Sequence, residues 1–174
     1  YPTSEPQLQL RLPTERYYEE EGRAELTPRD FGILMHRVFE NAATTDEIYM
    51  AIEAMTQDGV LDEKEAPRLR ELVEKALADP VTAEWFGGRW QVVRNENEII
   101  LPGSGTTRRP DRVMTDGERA VVVDYKFGDR ETARHRKQIR EYLRLLRQMG
   151  YTRTEGYLWY VRLGRTERVE EKED

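Results

Sequence analysis

The apolar positions of this chain keep two different rhythms, and the change between them divides it. Phe31, Leu34, Met35, Val38 and Phe39 recur at i, i+3, i+4, i+7 and i+8, which predicts a helix with one stripe turned to a core. Thr27, Pro28 and Asp30 suit its N-cap, first-turn and N3 positions. A second helix is expected from Asp46 to Met55, ending before Asp58-Gly59. A third is expected from about Glu63 to Ala78, with Leu69, Leu72, Val73, Ala76 and Leu77 in register and Asp79-Pro80 as its stop. From Trp90 onward the period falls to two. Trp90–Arg94 and Glu98–Leu101 read as strands paired across Asn95–Asn97, and Pro102-Gly103-Ser104-Gly105 as a loop. Thr107–Met114 and Arg119–Lys126 read as a hairpin closed at Asp116-Gly117. Residues 130–149 carry the longest helical pattern, closed by Gly150, and Gly156–Arg162 and Thr166–Glu170 return to strand. Helices, strands, a helix and strands again describe an α/β or α+β domain around one mixed sheet.

Composition adds limits. The 174 residues fit one domain. Residues 1–25 are polar, proline-bearing and acidic at Glu19, Glu20 and Glu21; they read as an N-terminal extension or linker with a short strand at Leu8–Leu12, leaving 26–174 as the folded domain. No cysteine is present, which excludes disulfides, a cysteine-ligated zinc, an iron–sulfur cluster and a cysteine nucleophile. No uncharged apolar run approaches the roughly 20 residues of a membrane span. The net charge of −6 argues against a nucleic-acid partner until its distribution is considered. Residues 108–147 hold 12 Lys/Arg against 7 Asp/Glu, while the remainder is strongly acidic.

The basic quarter also contains the candidate chemistry. Side chains at i and i+2 of a strand share a face, so Asp124 and Lys126 point one way and Tyr125 the other. The hairpin brings Asp111 alongside Asp124. Two carboxylates at that range repel, and a divalent cation between them removes the penalty. Mg²⁺ takes oxygen ligands, often one or two carboxylates with waters and a substrate phosphate. Lys126 could then steady the water or the charge that builds on a phosphoryl group. A D-x-K at a strand end is ordinarily a solvated edge. Here it emerges from Ala120-Val121-Val122-Val123, a run that reads as a buried central strand.

Pro110-Asp111 followed by Asp124-Tyr125-Lys126 resembles the PD-(D/E)XK nucleases, with their restriction-endonuclease-like core of a mixed sheet flanked by helices. Gly32-Ile33-Leu34-Met35-His36 before that pair and Gln138-Ile139-Arg140-Glu141-Tyr142 after it resemble the Gly-x-x-x-His and Gln-x-x-x-Tyr helices of the RecB-like branch. The similarity is greatest to the C-terminal nuclease domain of UvrD/RecB-type helicases, of the exodeoxyribonuclease V β-subunit kind, and a start at Tyr1 then implies a cut from a helicase body. The resemblance implies Mg²⁺, with Mn²⁺ substituting, held by His36, Asp111, Asp124 and the carbonyl of Tyr125. It implies catalytic parts for Asp111, Asp124 and Lys126, with Gln138 facing the active site and Tyr142 near the DNA. It also implies single-stranded DNA ends as substrate, a helicase as partner and a cytoplasmic, nucleoid-associated place. His36 falls on the flank of the Phe31/Met35/Val38 stripe, with Gly32 one turn earlier leaving room for close approach. His135 reads as a surface residue, and Glu96 equally as a turn residue or an acidic site position.

Arg136, Arg140, Arg144 and Arg147 form a stripe nearly opposite Gln138, which reads as a solvated face or a docking face for the helicase. Arg108, Arg109, Arg134 and Lys137 are better placed to meet phosphates. Tyr157, Trp159 and Tyr160 read as core or sheet-edge packing. The competing functions are a catalytically idle DNA-binding or helicase-docking module and a metal phosphohydrolase for small substrates. An idle module has no need of the intact acidic pair with its lysine, and the second reading lacks a glycine-rich phosphate loop.

Overall fold

A computed structural model of the protein describes residues 27–95, 99–100, 107–128 and 133–171. The extension expected over 1–25, the loop at 102–105 and Glu96 lie outside the described residues.

The helical half opens with α1 (Pro28–Glu40), where the Thr27 side chain accepts the Asp30 amide. Its stripe buries Leu34, Met35, Val38 and Phe39. A capping box between Thr44 and Glu47 starts α2 (Thr45–Gln57). α3 (Ala66–Ala76) is shorter than expected at both ends. It stops at Ala76 with Leu77 as its cap, ahead of the expected stop, and Asp79-Pro80 instead opens α4 (Pro80–Trp85), a helix the sequence pattern does not announce. The Asp79 carboxylate accepts the Val81 amide at 2.8 Å, and Pro80 sits at the first turn, where no amide donor is needed.

Among the described residues seven strands follow: β1 (Val92–Asn95), β2 (Ile99–Ile100), β3 (Thr107–Arg108), β4 (Arg112–Asp116), β5 (Arg119–Lys126), β6 (Arg153–Tyr160) and β7 (Arg165–Arg168). The helix α5 (Ala133–Gln148) lies between β5 and β6. Five strands form one mixed sheet in the order β1-β4-β5-β6-β7, with β5 and β6 parallel and the other pairs antiparallel. The fold is therefore the α/β arrangement expected of a restriction-endonuclease-like core.

Two expectations about pairing are corrected. β1 pairs with β4 and not with the strand that follows it; β2 pairs with β3 in a separate ribbon. Asn95–Asn97 resembles a turn locally, but the open edge of β4 is what β1 covers, and that is a long-range matter. The strand expected over Thr107–Met114 is also interrupted. Pro110 has no amide to donate to a ladder, so β3 and β4 are distinct strands. The β4–β5 hairpin stands as expected, with Asp116 opposite Arg119 and Gly117 at φ 58° in the turn.

The sheet is covered on both faces. Met114, Val121, Val123, Tyr125 and Trp159 pack against the α1–α4 layer. Val113, Ala120, Val122, Leu158 and Tyr160 pack against Ile139, Tyr142, Leu143 and Leu146 of α5. Tyr157, Trp159 and Tyr160 thus belong to the sheet packing, and Gly156 lets α5 lie close on β6. A Cβ at Gly156 would fall well inside the contact radius of Ile139 Cγ2 and 3.2 Å from the Leu143 methyls. We expect Gly156→Ala to lower the unfolding free energy by ~1–3 kcal/mol in urea titration, as overpacking does.

Arg112 ties the layers together. It is fully buried, and its guanidinium donates to the carbonyls of Ala42 (2.6 Å), Ala43 (2.8 Å) and Trp85 (2.7 Å) and to Asn95 Oδ1 (3.1 Å). Its carbon centre lies 4.0 Å above the Phe86 ring. One side chain of β4 thereby fixes the α1–α2 corner, the end of α4 and the end of β1. Each carbonyl stranded without a donor costs ~1–3 kcal/mol. Arg112→Met should accordingly destabilise the protein by more than ~3 kcal/mol, measured by the same titration.

Candidate active site

The register of β4 on β5 places Arg112 opposite Val123, so the next pair out is Asp111 beside Asp124. Side chains alternate from there. Arg112 and Tyr125 turn to the α1–α4 layer, and Asp111, Asp124 and Lys126 turn to the α5 side. Tyr125 is buried against Phe39 and Trp159, as its opposite orientation required.

The two carboxylates do not simply face each other. The Asp111 amide donates to Asp124 Oδ1 at 3.1 Å, and the Tyr125 amide donates to Asp111 Oδ2 at 2.7 Å. Each acid accepts an amide N–H from the facing stretch of backbone, which anchors both. Their second oxygens turn elsewhere. Asp111 Oδ1 lies 3.8 Å from His36 Nδ1, and Asp124 Oδ2 lies 3.8 Å from Lys126 Nζ. The Lys126 carbonyl accepts the Val161 amide at 3.1 Å, which pins the strand where the lysine leaves it.

His36 reaches this point from the opposite layer, around the end of the sheet. Its ring packs 4.8 Å from Phe127, whose Cβ lies 3.3 Å from where a Cβ on Gly32 would stand. The glycine therefore serves close approach of α1 to Phe127, and His36 follows one turn later. Burial, then the nearby Lys126, hold the imidazole below its ordinary pKa, so it is neutral at pH 7, the form that binds metal.

Asp124 is only 4% exposed. Burial pushes its carboxyl above the usual range, while Lys126, the Asp111 amide and His36 oppose the shift. A raised folded-state pKa means that the native state holds the proton longer than the unfolded chain. Stability then falls as pH rises through the interval between the two values, and an ionised Asp124 is a strain at neutral pH.

The donors fit a hard divalent cation, which takes carboxylate oxygens and a limited number of protein ligands. Among the described residues, no three of His, Cys, Asp or Glu are gathered into a preformed metal cluster. The protein supplies instead an open acidic pair with an imidazole at its rim. Mg²⁺ commonly keeps several waters and needs no closed cage.

The β5–α5–β6 crossover sets the first turn of α5 over the end of β5. Gln138 Nε2 donates to the Tyr142 hydroxyl at 3.0 Å. Tyr142 is fully buried and Gln138 half-buried beside it. Arg109, Arg134 and Lys137 are exposed; Arg108 belongs to β3, and its side chain lies outside the described residues.

The arginine stripe is partly engaged within the chain, while Arg144 and Arg147 stay exposed. Arg136 is paired with Glu167, Arg140 Nε donates to the Glu170 carbonyl at 3.2 Å, and Arg147 meets Glu171 at 2.7 Å. The acidic residues of β7 and the segment after it take up that charge. His135, read as a surface residue, is half-buried. Arg112 went unremarked in the sequence reading, although the i, i+2 rule already put it on the face with Met114.

The PD-(D/E)XK nuclease superfamily model matches residues 7–174. The chain belongs to this superfamily. No curated protein matches it closely enough to count as a relative. Membership assigns the PD-(D/E)XK chain a nuclease chemistry, the hydrolysis of phosphodiester bonds, of the divalent-metal kind for which the acidic pair is suited. No helix among the described residues is long and apolar enough to cross a membrane.

Asp124→Asn keeps an acceptor for the Asp111 amide and removes the buried charge. Without metal it should melt ~2–4 °C above the wild type at pH 7, a difference that shrinks as the pH falls toward that of the protonated acid. Added Mg²⁺ should raise the melting temperature of the wild type and leave that of the variant unmoved.

Proposed function

We propose that this domain is a Mg²⁺-dependent deoxyribonuclease that cuts single-stranded DNA ends, working with a helicase in the same chain or complex in double-strand break repair or DNA degradation. Residues 26–174 form the nuclease unit in this reading, preceded by an extension over 1–25. The observation that carries it is the mutual backbone clasp of Asp111 and Asp124 with Lys126 and His36 at its rim. The helicase and its repair role rest on the Gly32–His36 and Gln138–Tyr142 motifs, as read from the sequence.

Asp111, Asp124, the neutral imidazole of His36 and the carbonyl of Tyr125 would hold Mg²⁺, with Mn²⁺ able to replace it. The bound ion supplies Lewis acidity toward a phosphoryl oxygen and toward water. The clasped backbone keeps both carboxylates from swinging away, so the ligand positions exist before substrate arrives. Lys126, held 3.8 Å from Asp124, presents its ammonium beside the acids and stabilises negative charge that develops on the phosphate. Gln138, fixed by Tyr142, orients this group from the α5 side. Arg108, Arg109, Arg134 and Lys137 bind the DNA backbone around the cut and set its register.

The test is cleavage of a 5′-labelled single strand with Mg²⁺, with EDTA, and with Mg²⁺ restored. EDTA should abolish cutting, and Lys126→Ala should lower kcat by roughly 10²-fold or more. A folded Asp124→Ala variant that cuts as fast as the wild type would end this reading.

A further inference from the structure

His36 stands at the rim of the acidic pair, and its ring needs a definite angle to serve there. The gap from Nδ1 to Asp111 Oδ1 is 3.8 Å, beyond hydrogen-bond reach, and the side chain is 38% exposed. Neither that acid nor enclosure by the protein sets the ring's orientation.

Aromatic packing supplies a constraint in their place. Phe127, the residue after β5, turns to the α1–α4 layer with Tyr125 and is half-buried there. Its ring meets the imidazole at 4.8 Å between centroids with the planes at 66°, the edge-to-face arrangement that aromatic pairs favour. Tyr125, at 6.0 Å, stands farther off. Phe127 is itself held from the helix that carries His36. The Phe31 ring lies edge-on to it at 6.3 Å and 76°. Its Cβ is 3.3 Å from where a Cβ on Gly32 would stand, so the backbone of α1 comes down directly on it. Phe31, Gly32 and His36 thus surround one side chain at the end of the central strand. The strand is fixed at that point, because the preceding carbonyl, that of Lys126, accepts the Val161 amide.

We propose that Phe127 is a positioning residue: its ring holds the imidazole of His36 toward the Asp111–Asp124 pair, so that affinity for a divalent cation depends on a side chain with no ligand atom. The inference rests on the reading of His36 as a metal ligand and adds what aims it. Without the ring, the imidazole gains rotamers that face away from the acids, and a cation must order it on binding.

The test titrates the whole chain with Mn²⁺ by calorimetry and follows the imidazole proton signals of its two histidines by NMR. In the wild type, substoichiometric Mn²⁺ should broaden the His36 signal. Phe127→Leu, which keeps apolar volume without the ring edge, should weaken Mn²⁺ binding roughly tenfold, as loss of a residue that orients a ligand does. Phe127→Tyr keeps the ring and should keep the affinity. His36→Ala should also weaken binding, and in that background Phe127→Leu should cost nothing further, whereas a merely structural role would cost the same in both. A folded Phe127→Leu protein with wild-type Mn²⁺ affinity overturns the proposal, and so does an equal loss with and without His36. If Phe127→Leu does not fold, Gly32→Ala decides, since its Cβ presses on Phe127: weaker Mn²⁺ binding that disappears in the His36→Ala background supports the proposal, and unchanged affinity removes it. A wild type that binds Mn²⁺ while Phe127 is indifferent sinks this inference alone. A wild type that binds no Mn²⁺ sinks the metal-dependent nuclease reading with it.

Discussion

The register of β4 against β5 governs everything else in this protein. With Arg112 opposite Val123, alternation sends Asp111, Asp124 and Lys126 to one face and Arg112 and Tyr125 to the other. A slip of one residue would exchange the faces. The acids would enter the aromatic core around Phe39 and Trp159, and the guanidinium would lose the carbonyls of Ala42, Ala43 and Trp85. Both errors carry a large cost, because one buries unpaired charge and the other strands buried acceptors. The hydrogen bonds from the Asp111 and Tyr125 amides to the facing carboxylates then lock that register at its functional end.

The site lies where two helical layers meet at the sheet's end. α1 brings His36 from one face, and α5, which carries Gln138, packs on the other. Arg112 links these tasks without touching the chemistry, because it anchors the α1–α2 corner that carries the histidine's helix and stands next to Asp111 in β4. At the far end of β5, Arg119 bonds to Glu84 (2.6 Å) and Glu155 (2.8 Å) and lies 4.8 Å from the Trp90 ring, so the central strand is tied at both ends. A strand held in this way can keep a desolvated aspartate in place, a group that by itself favours the protonated form. The tension between burial and charge is what a cation would relieve.

Much of this was legible beforehand, for specific reasons. The β4–β5 hairpin followed from Asp116-Gly117 between apolar runs, and the orientation of Asp124 and Lys126 from strand alternation alone. The α1 stripe placed His36 on its flank, and Gly32 marked the approach that Phe127 now explains. The misreadings share another cause. Asp79-Pro80 reads locally only as a stop, although a proline past the end of one helix can also begin the next. Trp90–Arg94 reads as the partner of its sequence neighbour because nothing local records the open edge of β4. The arginine stripe looked unattached because Glu167, Glu170 and Glu171 approach it only when β7 folds beside α5.

By itself the sequence determined which segments become helix or strand and which residue types share a face, since periodicity, caps and turns act over a few residues. The tertiary structure decided who partners whom: β1 with β4, Arg112 with three carbonyls of the helical layer, and the arginine stripe with β7 and the segment after it. These contacts join residues far apart in the chain, and they are chosen by competition among buried polar groups for the donors and acceptors that packing leaves within reach.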